Sequence, residues 1–259
     1  MSKNMANREV CNAIFRDYAT KAPVLYADYA NTTTTEVTGE SVAAYGGWGH
    51  PKRVIFNGER GGTIAFEFQV HPFQLFALMS GAAIDKEASY FKRAVVKATE
   101  GGVLTLKEGE IPANKFISVF AYNDDCGNDL GATKGEEGNV TIGANITFDK
   151  NVITVSGDGI VAGQEYIVYY ERAYAGSGVQ KLSITGKTFP KALTIDADTI
   201  YKTEDDALIP MILRVYKCQP QTQFTLAHSN TGDPGTITLT CDLMEDENGN
   251  MLDLIAIEE

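Results

Sequence analysis

The sequence predicts a mainly β protein with one substantial α-helix packed against a sheet and an inserted small β-module. Three observations predict it. Apolar residues fall mostly in short runs of β-branched and aromatic residues bounded by Gly, Pro, Asn and Asp. One segment alone, Phe73–Ala82, has the length and broad apolar stripe of a substantial helix. Glycines at Gly101-Gly102 and Gly176-Ser177-Gly178 bracket a stretch of different texture, as suits a module inserted into a parent domain.

In chain order, residues 1–22 read as an N-terminal arm or packed first helix. Val10, Ile14, Phe15 and Tyr18 fit one face of a 3.6-residue period over 7–19, and Pro23 closes it. Strand signals begin at Val24. The Thr32–Thr35 run with Val37 and Val42 has β propensity but few large anchors, which fits an exposed strand or long hairpin. Gly46-Gly47-Trp48-Gly49-His50-Pro51 is a loop by its Gly and Pro content and carries the single Trp. Arg53–Asn57 and Thr63–Val70 read as strands joined by a turn at Gly58–Gly62, with Ile64, Phe66, Phe68 and Val70 on one face. Pro72 suits the first turn of the following helix and Gly81 its stop.

Tyr90–Thr99 returns to strand. Between 101 and 178, strands are predicted at Val103–Leu106, Phe116–Tyr122, Val140–Phe148, Val152–Val155 and Glu165–Glu171, with a surface loop over Asn123–Asn139. An immunoglobulin-like form would suit this module; the alternative is that its strands belong to one enlarged sandwich. Further strands are predicted at Val179–Ile184, Ala192–Ile195, Leu208–Tyr216, Gln223–His228, Thr236–Asp242 and Met251–Ile257. Turns are signalled at Asn230–Gly235 and at Asp246–Asn250, whose Asn-Gly pair suits a tight hairpin. The domain reading is therefore 1–22 as an arm, 23–100 plus 179–259 as one discontinuous domain, and 101–178 as the insertion.

The 259 residues carry 22 Lys and Arg against 34 Asp and Glu, a formal charge of −12. That balance argues against sequence-independent nucleic-acid binding, which depends on neutralising phosphates. The excess is local: 101–178 holds 5 basic and 11 acidic residues, and 242–259 holds no basic and 7 acidic ones. Cys11, Cys126, Cys218 and Cys241 are too few and scattered for a disulfide scaffold. No run approaches the roughly 20 apolar residues of a membrane span. The polar start MSKNMANREV lacks a signal-peptide core, so the expectation is a soluble protein of a reducing cytoplasm.

Motifs of catalysis fail on spacing, so the expectation is no enzyme, no catalytic or metal residue and no cofactor. His50, His71 and His228 sit in unlike contexts, and no Cys or His spacing matches zinc. Gly186-Lys187-Thr188 lacks the P-loop glycine, since position 181 is Lys. Counting an EF-hand from Asp246 puts Met251 sixth and Ile257 twelfth, where Gly and Glu are needed. Ser177 sits in a linker-like Ala-Gly-Ser-Gly, and Asp124-Asp125 and Asp205-Asp206 read as solvated loops.

One order of elements is informative. The alternating strand Thr63–Val70 runs into the helix Phe73–Ala82, and long strands return at Val179–Ile184, Leu208–Lys217 and Thr236–Asp242. Together with the stretch from Pro220-Gln221 through Ser229–Pro234 to Leu239–Leu243, this resembles the tail tube proteins of tailed bacteriophages, related in fold to the type VI secretion tube protein. The likeness covers 23–100 and 179–259 and is one of order and texture, without invariant motifs.

The resemblance implies a β-sandwich or barrel with a flanking helix. It implies a homo-oligomer of hexameric rings stacked into a tube, self-assembled in the host bacterial cytoplasm and carried in the virion tail. Its partners would be the tape measure, the baseplate and, in a contractile tail, a sheath. Genomic DNA would pass through the lumen without specific binding, and no membrane would be involved. Candidate contacts between rings or subunits are Thr33, Thr35, Val37 and Trp48 in the 31–51 stretch, and Ile14 and Phe15 in the N-terminal segment. For Trp48, packing on its own domain is the open alternative. Rival readings are a decoration, baseplate or tail-terminator protein, a carbohydrate- or surface-binding module with Tyr166, Tyr169, Tyr170 and Tyr174 as its platform, or an enzyme whose site is assembled only in space, such as a Cys–His pair.

Overall fold

The structure, a computed structural model, describes residues 4–107, 112–122, 129–134, 140–142, 146–149, 152–155, 160–230, 232 and 234–258. Among the described residues the chain is mainly β, with one helix and antiparallel sheets. In order come β1 (Met5–Asn7), β2 (Asn12–Asp17), β3 (Pro23–Ala27), β4 (Ala30–Tyr45), β5 (Lys52–Phe68), α1 (Phe73–Ser80) and β6 (Ile84–Asp85). Then follow β7 (Glu87–Lys97), β8 (Val103–Thr105), β9 (Pro112–Ala121), β10 (Asp129–Lys134), β11 (Val140–Ile142), β12 (Ile146–Asp149), β13 (Val152–Val155) and β14 (Glu165–Ala175). The chain closes with β15 (Lys181–Leu182), β16 (Leu193–Thr203), β17 (Leu208–Pro220), β18 (Ile237–Met244) and β19 (Leu252–Ala256). It divides into two compact units, 1–83 with 182–259, and 84–181.

The first unit is built on one sheet with the path β3-β2-β16-β17-β18-β5-β4, to which β1 adds beside β16 and β19 beside β17. Alternation along its strands sends Ala13 and Phe15, Ile64, Phe66 and Phe68, Leu193, Ile195 and Ala197, and Ile237, Leu239, Cys241 and Leu243 into one core. In a flat sheet β2 and β5 would lie four strand spacings, about 19 Å, apart. Instead Phe15 meets Phe66 edge-on with ring centroids 5.3 Å apart. The sheet therefore curls over its own inner face, in the manner of a sandwich or barrel.

Helix α1 caps this core with Leu75, Leu78 and Met79. It stops at Gly81, whose left-handed backbone (φ 70°) lets its N–H donate to Ala77 O at 2.9 Å. A side chain there would press on the backbone oxygen of Phe189, so both conformation and space demand glycine.

The second unit holds two four-stranded sheets, β10-β9-β14-β7 and β11-β12-β13-β8. Val96, Leu104, Leu106, Val119, Tyr166, Val168 and Tyr170 form its core.

Several expectations are corrected. Residues 7–19 are not a helix: β2 pairs with β16 on one side and β3 on the other, Ala13 and Phe15 pointing inward and Ile14 outward. The run Ala13-Ile14-Phe15 shows no alternation of its own, and the two ladders decide which face is buried. Gly58–Gly62 is not a turn but the middle of β5, paired with β4 from Ala30↔Phe68 to Tyr45↔Lys52. Gly62 is there because a Cβ would collide with the backbone oxygen of Glu36. The turn lies at 46–51. The second unit begins at Ile84 and not at Gly101, since β7 pairs along its whole length with β14. Asp129–Lys134, read as loop, is a strand on β9; the rest of the 123–139 stretch lies outside the described residues. Val140–Phe148 is two strands, β11 and β12. Val179–Ile184 shrinks to the two residues of β15, and 223–228 has no strand. The predicted turn at Asn230–Gly235 includes 231 and 233, which lie outside the described residues, as do Cys126 and Asp124-Asp125.

Candidate functional site

Strands β4 and β5 run well past the core as a two-stranded arm. The inner half of β5 carries Ile64, Phe66 and Phe68 into the core, but every residue from 51 to 60 is exposed. From Gly39 to Tyr45, at about 3.3 Å per residue, the free ribbon extends about 20 Å before the tip. A register shift between Gly39 and Ser41 marks where it leaves the body.

The arm is apolar on both faces. Cross-strand partners share a face, so Val42 and Phe56 lie with Ala44 and Val54, while Ala43 and Ile55 occupy the other. Val42, Tyr45, Val54, Ile55 and Phe56 are each about half exposed or more. An isolated two-stranded ribbon is marginal in water, and this one leaves apolar groups on both faces uncovered. At the tip, Gly47, Gly49 and His50 all have positive φ, and Gly46 N–H donates to Pro51 O at 3.3 Å. Arg53 Nε donates to Gly46 O at 3.1 Å. This holds Trp48 outward with 104% relative exposure, so it does not pack on its own domain.

The other candidate contacts are distributed. Thr33, Thr35 and Val37 lie at the base of the arm, on the wall of a cleft of about 420 Å³. Cys11 N–H donates to Thr33 Oγ1 at 3.4 Å, tying β4 to the N-terminal segment. Ile14 faces outward opposite Tyr26 on β3. Phe15 is fully buried and is a core residue, offering no surface to a neighbour. Val54, Ile55 and Phe56 are contact candidates that the sequence reading does not single out. A signal for them exists: the run Val54-Ile55-Phe56 puts large apolar side chains on both faces of its strand.

Among the described residues, no group of three or more His, Cys, Asp or Glu converges as a metal site. His71 Nε2 sits 3.0 Å from Phe68 O, while His50 and His228 are exposed. Cys241 is held well above its ordinary range by its hydrogen bond with Cys218 and by burial, so it stays a protonated core thiol. The tyrosine platform dissolves. Tyr166 and Tyr170 are buried in the second unit's core, Tyr169 packs on Phe120, and Tyr174 stacks on Tyr90. On the outer face of the first unit's sheet, Asp196 takes both Arg16 and Arg214, the latter at 2.7 Å, which braces β2, β16 and β17. No helix among the described residues is long and apolar enough to cross a membrane.

A family model described as the YomU/Tube protein family matches residues 8–256. No curated protein matches the chain.

Proposed function

The chain belongs to the YomU/Tube protein family, and from that membership we propose that it is the tail tube subunit of a tailed bacteriophage. In this reading the chain is a structural component of the virion, not an enzyme. Subunits form hexameric rings, and the rings stack into the channel through which the genome is delivered. The observation that carries the reading is the arm. Each copy presents an apolar ribbon that its own body does not cover. Received by a different surface of a neighbour and not exchanged about a two-fold axis, such an arm makes a head-to-tail contact that propagates into a closed ring or an open stack. The sheet ends at β3 and β4 add edges that neighbouring subunits can join.

The acidity supports DNA passage only weakly, because seven acidic residues crowd into 242–259. Tape measure, baseplate and, in a contractile tail, sheath are the partners this role requires. Negative-stain microscopy of the purified chain tests it. Hollow tubes or six-fold rings are expected; a monomer at every concentration overturns the proposal.

A further inference from the structure

The cleft at the base of the arm lies between β4 on one side and β17 and β19 on the other. Cys11, Thr33, Thr35, Val37, Met211 and Leu254 line it. Its volume, about 420 Å³, falls within the roughly 300–1,000 Å³ of concave sites that take a group of drug-like size. The small Thr residues of β4 leave this space open, facing an apolar wall in which Leu254 is 68% exposed. Val37 and Leu252 also line an adjoining hollow of about 450 Å³, which runs beside the C-terminal hairpin.

Charge at the two places is opposite. The tip, 45–53, carries Lys52 and Arg53 and no carboxylate. Neither base has an ion-pair partner among the described residues. The cleft and its adjoining hollow carry Glu9, Glu245 and Asp253, with Arg60 the one cation among their lining residues. Tip and cleft cannot meet within one copy. Val37 lies in the cleft wall, and the eight steps of ladder to Tyr45 hold the tip about 26 Å away.

We propose that the cleft is the receptor for the arm of a second copy of this chain, with Trp48 filling the apolar space and Lys52 and Arg53 meeting the acidic rim. Every copy then gives one arm and takes one, which is the repeating contact a stacked assembly needs. The inference rests on the tube reading above and adds the docking partner of the arm.

The sole tryptophan makes the test direct. On passing from dilute to assembled full-length protein, Trp48 emission is expected to shift to the blue, and its quenching by acrylamide to fall severalfold. In a Trp48→Cys variant, mild oxidation with diamide is expected to link the introduced thiol of one copy to Cys11 of another. The product is a ladder of covalent multimers that a Trp48→Cys/Cys11→Ser double variant does not form. Lys52→Glu, which leaves the Arg53 bond to Gly46 O in place, is expected to raise the protein concentration needed for assembly severalfold, as reversal of a charge at an interface does; circular dichroism checks that this exposed substitution leaves the fold intact. Rings or tubes in which Trp48 stays open to acrylamide, and in which no link forms between position 48 and Cys11, would overturn this inference and leave the tube reading standing. Absence of any assembly would overturn both.

Discussion

Asp246 shows how one side chain sets a turn. Its carboxylate accepts the backbone N–H groups of Asn248 at 2.9 Å and Asn250 at 2.8 Å, while Gly249 takes the positive φ the hairpin needs. The Asn250 N–H, then that of Asn248, hold the carboxyl below its ordinary value of 3.8. A carboxylate with a depressed folded value stabilises the turn above its unfolded pKa and loses that contribution as pH falls through the folded one. Amide protection at Asn248 and Asn250 is therefore expected to be steady from about pH 7 to 5 and to fall below about pH 4. In Asp246→Ala it is expected to be low throughout; hydrogen exchange followed by NMR reads both. This turn was legible in the Asn-Gly pair, because the whole interaction lies within Asp246–Asn250. Phe15 was not, because a buried and an exposed aromatic look alike until the ladder partner of the strand is known.

Elements with strong local punctuation were likewise readable. Helix α1 lies between Pro72 and Gly81 as the sequence requires, and its end gives a sharp test. Gly81→Ala would drive a Cβ into the backbone of Phe189 at a φ of 70°, so a backbone must move. Loss of about 2–4 kcal/mol is expected, the range for strained backbone positions with a steric clash, measured as a lowered urea midpoint with unchanged slope. Where glycines serve packing, the local sequence points the wrong way. Gly58 to Gly62 look like a turn in sequence, yet glycine there clears room for the facing β4 backbone at Glu36 and Glu40. The true tip at 46–51 has as many glycines, and only the pairing of Thr32–Tyr45 with 52–67 distinguishes them.

At the scale of the molecule, a discontinuous first unit is interrupted by 84–181. β6 and β15 pair with each other, so the outgoing and returning chain lie side by side. Replacing 84–181 with a short Gly-Ser linker is expected to leave a folded first unit with its core cluster intact and its arm competent for assembly. A cooperative melt, with tubes in negative stain, would bear that out; an unfolded product would show that the second unit is needed for folding. The charge is less lopsided than the sequence segments implied. The second unit carries 10 basic and 14 acidic residues and the first 12 and 20, so the acidic C-terminal hairpin belongs to the unit that also bears the arm.

By itself the sequence determined what nearest neighbours determine: β content from alternation, helix α1 from its stripe and end signals, and the Asp246–Asn250 turn from its Asn-Gly pair. The curl of the sheet, the fate of residues 7–19 and the length of the arm were decided only by tertiary structure. Each depends on pairing between strands whose hydrogen bonds leave no local trace, as where Asn12 meets Asp198 or Thr32 meets Glu67. The same holds for the cleft, whose walls come from β4, β17 and β19 and which exists only because a curled sheet brings small threonines opposite large aliphatic side chains.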